Sequence, residues 1–128
     1  MEHSILKGKK ILIVEDDLSS RLYLNKILEK TGAVLLNAGD GQEALKYAVD
    51  DADIDIILMD IQLPVMDGYT SAKKIRELRK EVKLIAQTAY SISEDLDIIL
   101  SSGFDDFIIK PIYSDQLIEK LSSFFDKS

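Results

Sequence analysis

The chain has 128 residues, a formal net charge of -7, 46% hydrophobic and 30% charged residues, no cysteine and a single histidine, His3. That length suits one domain with one core, the lack of thiols excludes disulfides, thiolate metal sites and a cysteine nucleophile, and the uncompensated acidity argues against direct nucleic-acid binding. No apolar run approaches the roughly 20 residues of a membrane-spanning helix and Met1 to Lys10 lacks the apolar stretch of a signal peptide, so a cytoplasmic protein without membrane insertion is expected.

Strand-like apolar runs alternate with amphipathic segments five times, the pattern of an α/β domain built on a parallel sheet. Ile11-Leu12-Ile13-Val14 is uniformly apolar, as a central strand covered on both faces should be. A first helix is predicted from Ser19 to Lys30, stopped by Thr31-Gly32, with Leu24, Ile27 and Leu28 inward. Ala33 to Leu36 gives the second strand. Asp40-Gly41-Gln42-Glu43 then reads as a capping box that opens a second helix with Ala44, Leu45, Ala48 and Val49 inward.

Asp55 to Met59 is the third strand, and Asp60 ends it at the mouth of a loop punctuated by Pro64 and Gly68. Asp67-Gly68 is turn and cap chemistry, and the basic residues of the helix that follows (Lys73, Lys74, Arg76, Arg79, Lys80) form a solvated outer face. Leu84 to Ala86 is the fourth strand. A fourth helix over Ser93 to Ser101 sets Ile92, Leu96, Ile99 and Leu100 on one side and leaves Ile98 off that stripe. After the strand Phe107 to Ile109, a fifth helix turns Leu117, Ile118, Leu121, Phe124 and Phe125 toward the core. Residues 1–8 are expected as an extension or linker and residues 9–126 as the domain, with no output domain.

Glu15-Asp16, Asp60, Thr88 and Lys110 fall at the C-terminal ends of strands one, three, four and five, the edge where open α/β sheets bind ligands. Three clustered acids repel one another and hold protons tightly unless a cation joins them, and an all-oxygen set favours Mg²⁺. A hydroxyl and an ammonium facing that set are the parts that neutralise and orient a phosphoryl group, with Asp60 as the nucleophile that becomes an aspartyl phosphate. Taken singly, Asp16-Asp17 reads as a helix N-cap pair, Lys110 as a solvated strand end and Thr88 as a β-branched strand residue. Those readings fail together, because four independent strand ends would each have to present the required residue type by accident.

Ile-Val-Glu-Asp-Asp at 13–17, Met-Asp-Ile-Gln-Leu-Pro-Val-Met-Asp-Gly at 59–68, Thr-Ala at 88–89 and Lys-Pro at 110–111 resemble the receiver domain of two-component response regulators, in order and spacing, from Lys9 to Phe125. The resemblance implies a flavodoxin-like (βα)5 three-layer sandwich with a five-stranded parallel sheet of order 2-1-3-4-5. It implies a phosphorelay module that takes a phosphoryl group onto Asp60 from a phosphohistidine on a histidine kinase or histidine phosphotransfer domain. Such a domain is not a conventional enzyme, although it promotes its own phosphorylation and dephosphorylation. Glu15 and Asp16 match the family's acidic pair, Asp60 the phosphoacceptor and a metal oxygen, and Gln62 the residue whose backbone carbonyl reaches Mg²⁺. Thr88 matches the switch hydroxyl, Ala89 the small residue leaving it room, Lys110 the phosphate-binding ammonium, and Pro111 the residue that usually follows through a cis peptide.

Some positions depart from the common pattern. Glu15 is longer than the usual Asp, which implies a water-mediated metal contact, and Phe107 stands in place of an aromatic switch residue that is often Tyr. Gln62 and Tyr90 match positions that control water access to the phosphoryl group, and the bulk of Tyr90 implies slow to moderate autodephosphorylation. Ile98 and Tyr113 mark the face of the fourth helix, fifth strand and fifth helix as the surface that responds to phosphorylation. The residues leave open a stand-alone receiver or a receiver segment of a hybrid sensor kinase, and a pseudo-receiver working by contact alone. A flavodoxin-like cofactor binder is disfavoured, because Glu15-Asp16-Asp17 would repel a cofactor phosphate.

Overall fold

The computed structural model describes residues 4–89 and 93–125. Five strands, β1 (Lys10–Val14), β2 (Val34–Ala38), β3 (Ile56–Asp60), β4 (Lys83–Thr88) and β5 (Asp106–Ile109), pair in parallel in the order β2-β1-β3-β4-β5. Five helices connect or follow them: α1 (Leu18–Glu29), α2 (Gly41–Asp50), α3 (Gly68–Leu78), α4 (Ser93–Ser101) and α5 (Ser114–Ser123). The expected three-layer, flavodoxin-like architecture is therefore observed.

The strand periodicity of two splits the interior into two cores. Leu12, Val14, Ile57, Met59, Leu84 and Ala86 face one side of the sheet, where Ala44 and Ala48 of α2 and Ala72 and Ile75 of α3 close over them. Ile11, Ile13, Ile56, Leu58 and Ile85 face the other, beneath Leu24, Ile27 and Leu28 of α1 and Leu117, Ile118 and Leu121 of α5. β1, β3 and β4 are the central strands covered on both faces, which is why their sequences are continuous apolar runs.

The capping chemistry follows the sequence closely. Asp17, Asp40 and Asp67 are the N-caps of α1, α2 and α3, and their side chains accept from the backbone N–H groups of Ser20, Glu43 and Thr70. The capping box at α2 is offset by one residue, since Glu43 accepts from Gly39 N at 2.6 Å rather than from Asp40.

Four expectations need correction. Val49 is 58% exposed, because the outward turn of α2 carries it away from β1, and Leu100 is 47% exposed on the same account in α4. Phe124 and Phe125 lie just beyond α5 and are only partly buried, with Lys83 Nζ 5.8 Å and Lys9 Nζ 4.5 Å from their ring centroids. The basic face of α3 is not uniformly solvated. Arg76 donates to the Gly103 carbonyl and pairs with Asp105 at 2.7 Å, while Arg79 donates to the carbonyls of Ala48, Asp51, Ala52 and Ile54 and clamps the α2–β3 turn. Ile92 and Tyr90 fall outside the described residues, so the readings placed on them rest on sequence alone.

Candidate functional site

The sheet register brings the predicted residues to one edge. Asp60 is the last residue of β3 and the Cα partner of Gln87; Glu15 directly follows Val14, the partner of Met59; and Thr88, partner of Ile109, ends β4 one residue short of the level of Lys110. One oxygen from each of Glu15, Asp16 and Asp60 lies within 4.8 Å of the others. Asp16, Asp60, Gln62, Thr88, Ala89 and Lys110 line a cleft of about 550 Å³, and Asp67 and Tyr69 contribute to its outer wall.

Both Asp60 oxygens are engaged. Oδ1 accepts from the Gln62 backbone N–H at 3.0 Å, and Oδ2 accepts from Lys110 Nζ at 2.8 Å, which orients a carboxylate that is only 6% exposed. The loop that holds Gln62 in place depends on Gly68. Its N–H donates to the Ile61 carbonyl at 2.9 Å, and a Cβ there would come within 2.6 Å of the Asp60 carbonyl oxygen. Lys110 joins Pro111 through a cis peptide, as expected.

Glu15 is the electrostatic anomaly of the site. Burial, and after it the field of Asp60, raise its carboxyl to about 7, against the opposing Asp17 N–H and Lys110. Burial alone would lower the Lys110 ammonium, but its hydrogen bond to Asp60 and the fields of Asp60, Glu15 and Asp16 leave it above its ordinary value. The three side chains that come together here offer only carboxylate oxygens. Glu15, Asp16 and Asp60 therefore fit Mg²⁺.

Three residues at the site carried no signal in the sequence reading. Arg21 donates from Nη2 to the Glu15 carbonyl at 2.9 Å, Tyr23 donates its hydroxyl to the Ile112 carbonyl at 2.6 Å, and Gln87 lies 1% exposed beside Asp60. All three act through contacts between distant segments, to which local patterns are blind. Phe107 is half-buried, with its ring centroid 5.8 Å from Lys120 Nζ.

A doubly wound parallel sheet whose C-terminal edge gathers three carboxylates, a hydroxyl and a lysine defines a flavodoxin-like domain equipped for phosphoryl chemistry. The chain matches the response regulator receiver domain model over residues 11–122 and belongs to that family. It is 34% identical over 118 residues to the CAI-1 autoinducer sensor kinase/phosphatase CqsS of Vibrio cholerae, covering 90% of this chain and 17% of that protein, so it spans about a sixth of that relative's length. Among solved structures it superposes on the receiver domain of the Saccharomyces cerevisiae response regulator Ssk1, crystallised with the histidine phosphotransfer protein Ypd1 (TM-score 0.88, 30% identity, 94% of this chain and 90% of that one). It also superposes on the receiver domain of the Pseudomonas aeruginosa sensor histidine kinase PA1611, which holds a magnesium ion in its active-site cleft (TM-score 0.81, 30% identity, 92% and 97%).

Proposed function

We propose that this receiver domain accepts a phosphoryl group on Asp60 from a phosphohistidine of a histidine kinase or histidine phosphotransfer protein, with Mg²⁺ held by Glu15, Asp16, Asp60 and the Gln62 backbone carbonyl. The observation that carries this reading is the 2.8 Å bond between Lys110 and Asp60 inside a cluster of three acids. In the transfer, an Asp60 carboxylate oxygen forms the new P–O bond as the P–N bond breaks, and the imidazole leaves with its electron pair and takes up a proton. Mg²⁺ supplies charge neutralisation for the carboxylates and the incoming phosphoryl oxygens. Asp60 attacks, Lys110 holds the phosphoryl oxygens, and Thr88, buried at the end of β4, turns its hydroxyl to them.

Two surfaces suit the writing and the reading of that mark. Beside the site, α1 exposes Leu18 and Leu22 at 64% and 61%, an apolar helix face on which a helical donor can seat its phosphohistidine over Asp60. A second surface is offered by Ile98 of α4, Ile109 of β5 and Tyr113 before α5, all exposed; Phe107 lies two residues below Ile109 on β5 and packs on the same side of the sheet as Ala86. Phosphorylation shifts Thr88 and Phe107 together and alters this face for a downstream effector. Among the described residues no helix is long and apolar enough to cross a membrane.

The reading is tested by exposing the protein to acetyl phosphate and Mg²⁺, reducing the product with borohydride and mapping the modified residue by mass spectrometry. Modification at Asp60 is expected. Modification elsewhere, with Asp60 intact, contradicts the assignment.

A further inference from the structure

Among the described residues three buried side-chain polar atoms have no hydrogen-bond partner: Glu15 Oε1, Gln87 Nε2 and Ser122 Oγ. The first two residues line one cleft of about 270 Å³, walled by Tyr23, Leu24 and Ile112, and Gln87 and Lys110 line the phosphoacceptor cleft as well. The sheet dictates this pairing. Glu15, Asp60 and Gln87 stand level on β1, β3 and β4, so Glu15 and Gln87 flank Asp60, each about 4.8 Å away by strand spacing. Strand alternation puts Glu15 on the face of Ile13 and Gln87 on the face of Ile85, both in the core beneath α1 and α5.

A carboxamide is a costly side chain for a position 1% exposed, since an apolar residue of equal volume would fill it without an unpaired donor. One of the two atoms is a donor and the other an acceptor. Both residues line the cleft, whose volume has room for a water that would accept from Gln87 Nε2 and donate to Glu15 Oε1. Lys110 does not fix Glu15 by itself, because its ammonium is 3.8 Å from Glu15 Oε1 and bonded to Asp60 at 2.8 Å.

We propose that Gln87 is a positioning residue of the phosphoacceptor site: through a water in the cleft between α1 and the β5–α5 loop, its carboxamide holds the Glu15 carboxylate beside Asp16 and Asp60. The proposal rests on the Mg²⁺ reading given above. Gln87 acts through Glu15 and sets how well that carboxylate is presented to the cation. Outer partners of metal-binding side chains commonly govern affinity by about 10- to 100-fold.

The test is calorimetric titration of Mg²⁺ into the unphosphorylated wild type, Gln87→Met, Glu15→Gln and the double variant. Gln87→Met is expected to weaken Mg²⁺ binding by about tenfold while leaving the melting temperature of the metal-free protein unchanged or raised. Since the effect passes through Glu15, the same substitution should cost nothing further in the Glu15→Gln background. Wild-type affinity in Gln87→Met, or an equal loss in both backgrounds, overturns the proposal. A wild type that binds no Mg²⁺ overturns the metal reading itself, which is a separate result. Gln87→Leu, with the same expectations, serves if the Met variant does not fold, and a high-resolution crystal structure gives an independent check: a water bridging the two side chains is expected, and direct protein contacts in its place contradict the account.

Discussion

Lys110 Nζ donates to Asp60 Oδ2 at 2.8 Å while standing 3.8 Å from Glu15 Oε1, so one ammonium compensates two carboxylates that the fold has nearly removed from water. Lys110→Met should lower phosphoryl uptake from acetyl phosphate by at least about two orders of magnitude, measured as the rate of mass gain, because it removes a charge aimed at the incoming oxygens. The same change leaves buried charge unpaired and should destabilise the metal-free protein by about 3 kcal/mol in denaturant titrations near neutral pH.

The raised Glu15 carboxyl gives the metal-free protein a distinctive pH profile. Its folded value of about 7 lies above the ordinary 4.5, so the native state binds more protons than the unfolded one between those limits. Stability should therefore fall as pH rises from about 4.5 to about 7, by at most about 3 kcal/mol, and Glu15→Gln should flatten that slope. Asp60→Asn should also bring the Glu15 carboxyl down, since the field of Asp60 is the second cause of its elevation. Chemical denaturation across that range and NMR titration of Glu15 check both statements.

Arg79 offers a test far from the chemistry. Its guanidinium donates to one carbonyl at the end of α2 and three of the α2–β3 turn at 3.0 to 3.1 Å, a fan of bonds that one lysine ammonium cannot span. Arg79→Ala should destabilise the fold by about 2 to 4 kcal/mol and Arg79→Lys by nearly as much, with Mg²⁺ affinity unaltered. Equilibrium unfolding and calorimetry on the same samples separate the two effects.

Arg79 also shows where sequence reading stops. The strands, the helices, their N-caps and the convergence of Glu15, Asp16, Asp60, Thr88 and Lys110 were legible because each depends on local periodicity or on the rule that parallel strands end at a common edge. The roles of Arg79, Arg76, Tyr23 and Gln87 were not, because each is fixed by a contact to a segment remote in the chain. A basic helix face looks the same in sequence whether its guanidinia meet water or the carbonyls of a neighbouring turn. Glu15 was legible as an acid at the sheet edge, but its burial and raised carboxyl emerge only once Asp60 and the α1 side of the sheet are placed around it.

Val65, in the loop after Asp60, has φ of 66° and is 84% exposed, a left-handed conformation that a β-branched side chain adopts at a cost of about 1 to 2 kcal/mol. Val65→Gly removes that strain, partly offset by the greater freedom of glycine in the unfolded chain. A gain of up to about 1 kcal/mol, a few degrees in melting temperature, is expected by calorimetry.

The central role proposed for this site is that of Asp60 as a metal-assisted nucleophile. The direct measurement is intact-protein mass spectrometry after exposure to a phosphohistidine donor or acetyl phosphate, with Mg²⁺ or with EDTA, on wild type and Asp60→Asn. One added phosphoryl group on the wild type, present with Mg²⁺ and absent from the EDTA sample and the variant, is the predicted result. Labelling that persists in EDTA, or that survives Asp60→Asn, contradicts it.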